Sequence, residues 1–447
     1  MTPSSPGAPA PVAIIGAGLT GLACGLELAA AGREHRIYEA SATVGGLARS
    51  EVIEGYTFDA TGHWMHLRDP EIRRLVEEVL GENKTWVERS AAIWLGDRFV
   101  PYPFQTNVWA LPLADRRDCL RGLLRARDRR AAGEAPPRTF RDFVYESLGE
   151  GIAERFMIPY NRKLWGVELE ELSLDWIGRF VPQPSDEELM LGCLGPPEED
   201  RGYNARFLYP REGGIQALPD GLAARLPASP LLSTAVVAVD PAKKKLYLAE
   251  GSEVPYEALV STMALPRLVS ICEGVPDAVR EAAGRLRATH VTYASLGVRQ
   301  RLPRPTPPHH WVYFPEERFP FYRAGCASAA VPSLAPEQCA SFYIEFSHHA
   351  DTPPADAAAI AEAGLREVGL VHPDDPVEVA SVRTLENAYV IHDEDHARAR
   401  AAVLDWLSPL SIHSVGRYGR WEYASMEDAL LAGRHAARVI LDETSSR

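Results

Sequence analysis

The sequence predicts an α/β protein that carries a helical insertion and a second, mainly antiparallel sheet. Three observations predict it: an apolar strand running into a glycine turn and a helix at residues 12–32, a helix-period stretch over 113–174, and a switch to period-two alternation from residue 232 onward. A chain of 447 residues and 49.1 kDa exceeds one typical core, so two or three domains are expected.

The first observation organises the rest. Val12 to Ile15 are four apolar residues of a buried parallel strand, and Gly16, Gly18 and Gly21 follow in G-x-G-x-x-G spacing before a small-residue helix over Leu22 to Ala31. The three glycines do different physical work. Gly16 makes the tight turn, Gly18 lets backbone N–H groups approach a pyrophosphate, and Gly21 lets helix and strand pack closely. Glu39 ends the next strand, HRIYE, 23 residues after Gly16, where a carboxylate accepts from a ribose 2′-OH. The pattern therefore predicts a Rossmann-like dinucleotide site, and an acid at that point argues against a 2′-phosphate.

A second glycine turn follows in ASATVGGLARS, with Gly45, Gly46 and then Arg49. It resembles the extended signature of the FAD enzymes grouped with amine oxidases and glutathione reductase. The resemblance implies FAD rather than NAD, with Gly46 and Arg49 passing beside the pyrophosphate and flavin. The loop DATGHWMH comes next, so His63 and His66 are expected near the flavin, unless they are buried histidines that only satisfy backbone groups.

Further along, PEIRRLVEEVL (70–80) has helical spacing, with Pro70 at its start and Gly81 beyond its end. RFVPYPFQTNVWALP is rich in Pro and aromatics and is expected to be a lining loop rather than a regular strand. Residues 113–174 are expected to be mostly helical, the arginines of LADRRDCLRGLLRARDRR lying on a solvated face. From residue 232 the chain reads as three strands joined by turns, the last apolar piece of which, ALVSTMALP, resembles the returning strand of an FAD domain. Residues 290–346 alternate again and suggest a mixed or antiparallel sheet, and helices are expected at ADAAAIAEAGLREVGL and MEDALLAGRHAARVIL.

Composition excludes several classes. The net charge of −14, with no basic cluster outside 116–130, argues against nucleic acid as a partner. No apolar run approaches the roughly 18 residues of a membrane span. MTPSSPGAPAP is expected to be a disordered leader rather than a signal peptide. Six scattered cysteines without C-x-x-C or ligand-spaced histidines read as reduced thiols in a cytoplasmic protein with no metal site.

Read together, YPFQTN (102–107), FMIPYNRKLWGVELEELSLDWIG (156–178), YNARFLYPREGG (203–214), LVSTMAL (259–265), WVYFPEERFPFYRA (311–324) and GRYGRWEY (416–423) resemble the UDP-galactopyranose mutases, the eukaryotic form more than the bacterial one. The resemblance spans almost the whole chain. It implies a discontinuous FAD-binding domain (12–66, 212–270 and 408–445) after the leader (1–11), a helical domain (99–174), and a sheet-containing substrate domain (67–98, 175–211 and 271–407). It also implies a reaction without net redox change, in which reduced flavin is the nucleophile on the anomeric carbon and NAD(P)H serves only to reduce it. Carried over residue by residue, His63 sits against the flavin, Arg323 grips the diphosphate, and Tyr389 and Tyr423 hydrogen-bond it. Gly62, Gly416 and Arg417 fall beside the cofactor. Tyr102, Gln105, Phe156, Asn161, Trp165, Asn204, Trp311 and Tyr313 line the nucleotide or sugar pocket, although each aromatic is equally at home in a core.

Two departures fall on substrate contacts. The mutases keep an arginine two residues after the glycine of the WIG-type motif, whereas here Gly178 is followed by Arg179 and then Phe180; on a strand that one-residue shift turns the cation to the opposite face, unless a bulge or local realignment brings Arg179 back to the substrate, where the resemblance implies a cation. The asparagine after the tyrosine motif has no counterpart among Ala424, Ser425 and Met426. An oxidoreductase of the amine oxidase or protoporphyrinogen oxidase type, acting on a different small molecule, therefore stands beside the nucleotide-sugar mutase, and a flavin-binding protein without turnover stands third.

Overall fold

In the computed structural model, residues 10–178, 181–196, 205–301 and 309–445 are described. Arg179, Phe180 and Asn204 lie outside them.

Val12–Ile15 is an inner strand of a four-stranded parallel sheet, between Leu259–Ser261 and His35–Tyr38, with Ile412–Ser414 beyond Leu259–Ser261. All four residues of Val12–Ile15 are buried, as expected of a parallel strand covered on both faces. The period of two splits them: Val12 and Ile14 enter a core with Leu22, Leu28 and Leu430, while Ala13 and Ile15 enter another with Val239, Leu246 and Leu268. The first helix runs over Leu19–Ala30, three residues earlier than the sequence pattern suggests, because the glycine turn already supplies its first turn with Gly18 as the cap. It packs on the last helix, Met426–Ser445, closely enough that a Cβ on Gly433 would lie 2.1 Å from the Thr20 carbonyl oxygen. Glu27 pairs with Arg434 and Arg438 across the same contact at 3.1 and 3.0 Å.

Where three strands are expected after residue 232 there are four: Val236–Asp240, Lys245–Leu248 and the short, largely exposed Glu253–Pro255 form an antiparallel sheet, and the returning strand Leu259–Ser261 joins the parallel sheet. The helical insertion comprises Leu113–Ala131, Phe140–Ile152, a π turn over Ala153–Met157, and Ile158–Trp165. Glycines bring the first two helices together: a Cβ on Gly149 would meet the Gly122 backbone at 2.4 Å, and one on Gly151 the Cys119 Cα at 2.5 Å. The arginines of Leu113–Ala131 pair with acids at the surface, Arg121 with Asp118 and Arg130 with Asp186, so this charge run is a solvated face.

The second large element is a seven-stranded sheet in the order Val377–Val390, Ala288–Arg299, Cys339–His348, Arg323–Cys326, Trp311–Tyr313, Ala91–Trp94, Phe99–Pro101. All neighbours are antiparallel except Trp311–Tyr313 beside Ala91–Trp94. Two features correct the sequence reading. Phe99–Pro101 is a strand and not loop; it lies at the sheet edge, where a proline without an N–H is tolerated, and it buries Val100. Val377–Val390, 14 residues long, carried no strand expectation, because this edge strand is largely exposed and shows little apolar alternation. Among the described residues no helix is long and apolar enough to cross a membrane, no His, Cys, Asp and Glu group has metal-site geometry, and the six cysteines are unbridged.

Candidate functional site

A cavity of about 840 Å³ runs between the parallel sheet, the helical insertion and the seven-stranded sheet. Every described residue singled out from the sequence lines it, apart from Gly21.

At one part of the cavity wall the two glycine turns interlock. Gly16 has φ +100°, and a Cβ there would lie 2.2 Å from Thr262 Oγ1; a Cβ on Gly21 would lie 1.9 Å from the Gly16 carbonyl oxygen. Gly21 is thus a packing glycine behind the turn. Gly18 is different: its added Cβ would meet nothing closer than 3.9 Å, so the protein itself does not require glycine there. The space it leaves open is the cavity. Gly45 N–H donates to the Ala17 carbonyl at 2.9 Å, which holds the second turn, with Gly46 at φ +61°, against the first. The Glu39 carboxylate accepts from Ala17 N–H at 2.7 Å and Ser41 N–H at 2.8 Å, which fixes it at the end of its strand with lone pairs to spare.

Next to the turns lies a cluster of cations. His63 is anchored only loosely, Nδ1 to the Thr61 carbonyl at 3.4 Å. Burial, with Arg323, Arg417 and Arg49 around it, lowers its pKa to about 4, so the imidazole is neutral at physiological pH. Arg417 donates from Nη1 to the Ala424 carbonyl at 2.8 Å and from Nη2 to the Ala388 carbonyl, and its guanidinium stands 5.0 Å from the Tyr423 ring centre and 5.8 Å from that of Tyr389. Arg323 makes a fork onto Glu345, Nε to Oε2 at 2.9 Å and Nη2 to Oε1 at 2.8 Å. Burial opposes the Arg323 charge, but the Glu345 carboxylate overcomes it and holds the pKa well above the ordinary arginine range. Tyr322 OH also donates to Glu345 and stands 3.4 Å from Tyr389 OH.

Aromatic side chains form the remaining wall. Tyr102 and Tyr160 each pack on Tyr313, at 5.2 and 5.3 Å between ring centres; Phe156 stacks on Tyr160 at 5.2 Å; and Trp165 packs on Trp176 at 4.6 Å. Tyr389 and Tyr423 stack at 5.8 Å. The π turn brings Phe156 to this wall, and Asn161 is tied back to its own helix by Nδ2 to the Met157 carbonyl at 2.7 Å. Gln105 is buried, and its Oε1 has no partner among the described residues, which leaves an acceptor for a ligand.

Glu345 and Tyr160 are site residues that sequence reasoning missed, Tyr160 because nothing local marks it off from a core tyrosine. Glu345 is fully buried in Cys339–His348, a strand whose SFYIEF stretch is otherwise apolar or neutral. An acid in such a run demands a buried cation, and the arginine of FPFYRA was available to supply it.

The sequence pattern of the flavin containing amine oxidoreductases matches residues 19–441. The crystal structure of a reduced UDP-galactopyranose mutase superposes with a TM-score of 0.91 at 27% identity, covering 98% of this chain and 94% of that one. A protein described as a protoporphyrinogen oxidase from Exiguobacterium has the same fold, with a TM-score of 0.74 at 16% identity over 98% of this chain and 99% of its own. A protein described as a flavin-containing monoamine oxidase from Mycobacterium tuberculosis is 26% identical over 243 residues, 51% of either chain, so the match spans about half the length of that relative. A pattern that runs through nearly all of the sequence, on a fold shared with the mutase, shows that the chain belongs to the flavin containing amine oxidoreductase family.

Proposed function

We propose that the protein binds FAD along the interlocked glycine turns and acts as a mutase on a nucleotide sugar, interconverting the pyranose and furanose forms of UDP-galactose or a close relative. The chain's own geometry fits FAD. The open space at Gly18 is where a pyrophosphate approaches a helix N-terminus, Glu39 is placed for a ribose, and Arg49, Gly62, Gly416 and Arg417 face the same cavity as His63. On this reading residues 12–66, 212–270 and 408–445 form the cofactor domain.

The observation that carries the mutase reading is the Arg323–Glu345 fork beneath Tyr322, Tyr389 and Tyr423, in the cavity that also holds the glycine turns. Bound reduced flavin would supply the nucleophile for the sugar. The protein supplies the rest. Glu345 fixes the plane of the Arg323 guanidinium, so its remaining N–H groups are aimed in advance at the diphosphate oxygens that gain charge as the sugar departs. Tyr389 and Tyr423 add neutral donors. His63, kept neutral by burial and the three arginines, offers hydrogen-bonding nitrogens without repelling the cations around it. The aromatic wall from Tyr102 to Trp165 excludes water from the opened sugar, and Gln105 Oε1 accepts from the base or sugar.

The test is to assay conversion of UDP-galactofuranose with the protein reduced by dithionite and with it oxidised. Turnover in the reduced form alone is the expected result. No turnover in either form, together with flavin reduction by an added amine or porphyrinogen, would give the site to the oxidoreductase reading instead.

A further inference from the structure

The helix Ile158–Trp165 lends Tyr160, Asn161, Leu164 and Trp165 to the cavity wall, but its lysine does something else. Lys163 Nζ stands 2.8 Å from the carbonyl oxygen of Phe314, 2.5 Å from that of Glu316, 2.5 Å from that of Phe319 and 3.4 Å from that of Phe321. An ammonium has three protons, so the three shorter contacts exhaust its donors and the fourth is electrostatic. All four oxygens belong to the loop joining Trp311–Tyr313 to Arg323–Cys326. Phe314, Phe319 and Phe321 are buried, with ring centres 4.7 to 5.5 Å apart, while Glu317, Arg318 and Pro320 of the same loop are exposed; where the loop is buried, unpaired carbonyls are costly. Burial pushes Lys163 down to about 7 against the opposing pull of Glu316 and Glu317.

The loop ends directly at Tyr322 and Arg323. One side chain therefore joins the helix that carries Tyr160 and Trp165 to the hairpin that carries the guanidinium. We propose that Lys163 is a positioning residue for the anion grip: its ammonium, acting as a built-in cation among backbone carbonyls, sets the distance between the aromatic helix and Arg323, and so tunes binding of a nucleoside diphosphate. This rests on the assignment of Arg323 to the diphosphate.

The experiment uses the flavin-loaded full chain and UDP as probe. Lys163→Met should stay folded and yellow yet bind UDP about tenfold or more weakly, the scale on which small misplacements of binding groups act. Lys163→Ala leaves a carbonyl-lined hole that a small primary amine fits; ethylammonium should restore much of the lost UDP affinity, whereas tetramethylammonium at equal ionic strength, having no N–H, should not. Wild-type affinity in Lys163→Met would overturn the proposal while leaving the diphosphate reading intact. So would loss of affinity with a matching loss of thermal stability and no amine rescue, since that describes a structural staple. A wild-type protein that does not bind UDP would overturn the diphosphate reading itself, and this proposal with it.

Discussion

The two sides of the cavity are built on opposite principles. On the side of the parallel sheet, shape comes from backbone: glycines at 16, 45 and 46 with positive φ, one strand end and one helix start, all within the first 50 residues. On the side of the seven-stranded sheet, shape comes from side chains brought together from distant parts of the chain, as in Arg323 with Glu345 and in Tyr389 with Tyr423. The first side tolerates almost no change in a few places. The second can be dismantled residue by residue, with graded losses.

The largest expected effect lies on the backbone side. Gly21→Val puts a Cβ 1.9 Å from the Gly16 carbonyl oxygen, a clash with main chain that no rotamer relieves, so we expect loss of soluble folded protein or a large fall in Tm by calorimetry. Gly18→Val sharpens the distinction within the same motif. Its φ of −72° suits any residue and its surroundings leave 3.9 Å, so the variant should fold with near-normal Tm but emerge colourless and fail to take up FAD. A yellow Gly18→Val protein would show that the pyrophosphate does not pass there.

On the side-chain side, Glu345→Gln leaves the Arg323 guanidinium buried without its carboxylate. Breaking a buried pair in this way costs about 3–5 kcal/mol, which should appear as a lower denaturation midpoint even without any ligand. Arg323→Ala should instead weaken UDP binding by roughly 2–5 kcal/mol, read by titration calorimetry. If Glu345→Gln left stability unchanged, the fork would be a contact of convenience and the contrast between the two sides would lose its basis.

The same contrast explains what the sequence disclosed. The strand, glycine turn, helix and acid are local in sequence, so Gly16, Gly18, Gly21 and Glu39 could be read off by spacing, and the helix Pro70–Leu80 by its caps. Most of the aromatic wall was legible only through family resemblance, because nothing local distinguishes Tyr313 from a core tyrosine. Glu345 was lost because it lies 22 residues from Arg323, on the neighbouring strand, and its meaning exists only once Arg323–Cys326 and Cys339–His348 pair. The strand Val377–Val390 was lost for a related reason: its partner, Ala288–Arg299, is far away in sequence, and its own exposure hides the period. The shifted cation at Arg179 lies outside the described residues, so its departure from the mutase pattern rests on sequence alone.

The smallest predicted effect sits where the two sides meet, at His63. Its pKa is about 4 in the folded chain against an ordinary 6.5, because burial and the charges of Arg323, Arg417 and Arg49 all disfavour a further proton. The unfolded chain therefore binds a proton between those values that the folded chain refuses. Stability from this group is complete above about pH 6.5 and falls away as the pH drops toward 4, by about 1–3 kcal/mol once exposure to the cavity is allowed for. His66 and His310, also near 4, shift in the same sense, so His63→Gln should reduce the slope of Tm against pH over this range without abolishing it. An anion beside the three arginines would offset their charge and raise the His63 pKa. Adding UDP should then flatten the wild-type slope toward that of His63→Gln and leave the variant's slope nearly unmoved. Equal responses in the two proteins would mean that the diphosphate does not share its surroundings with His63, and that the two sides of the cavity work independently.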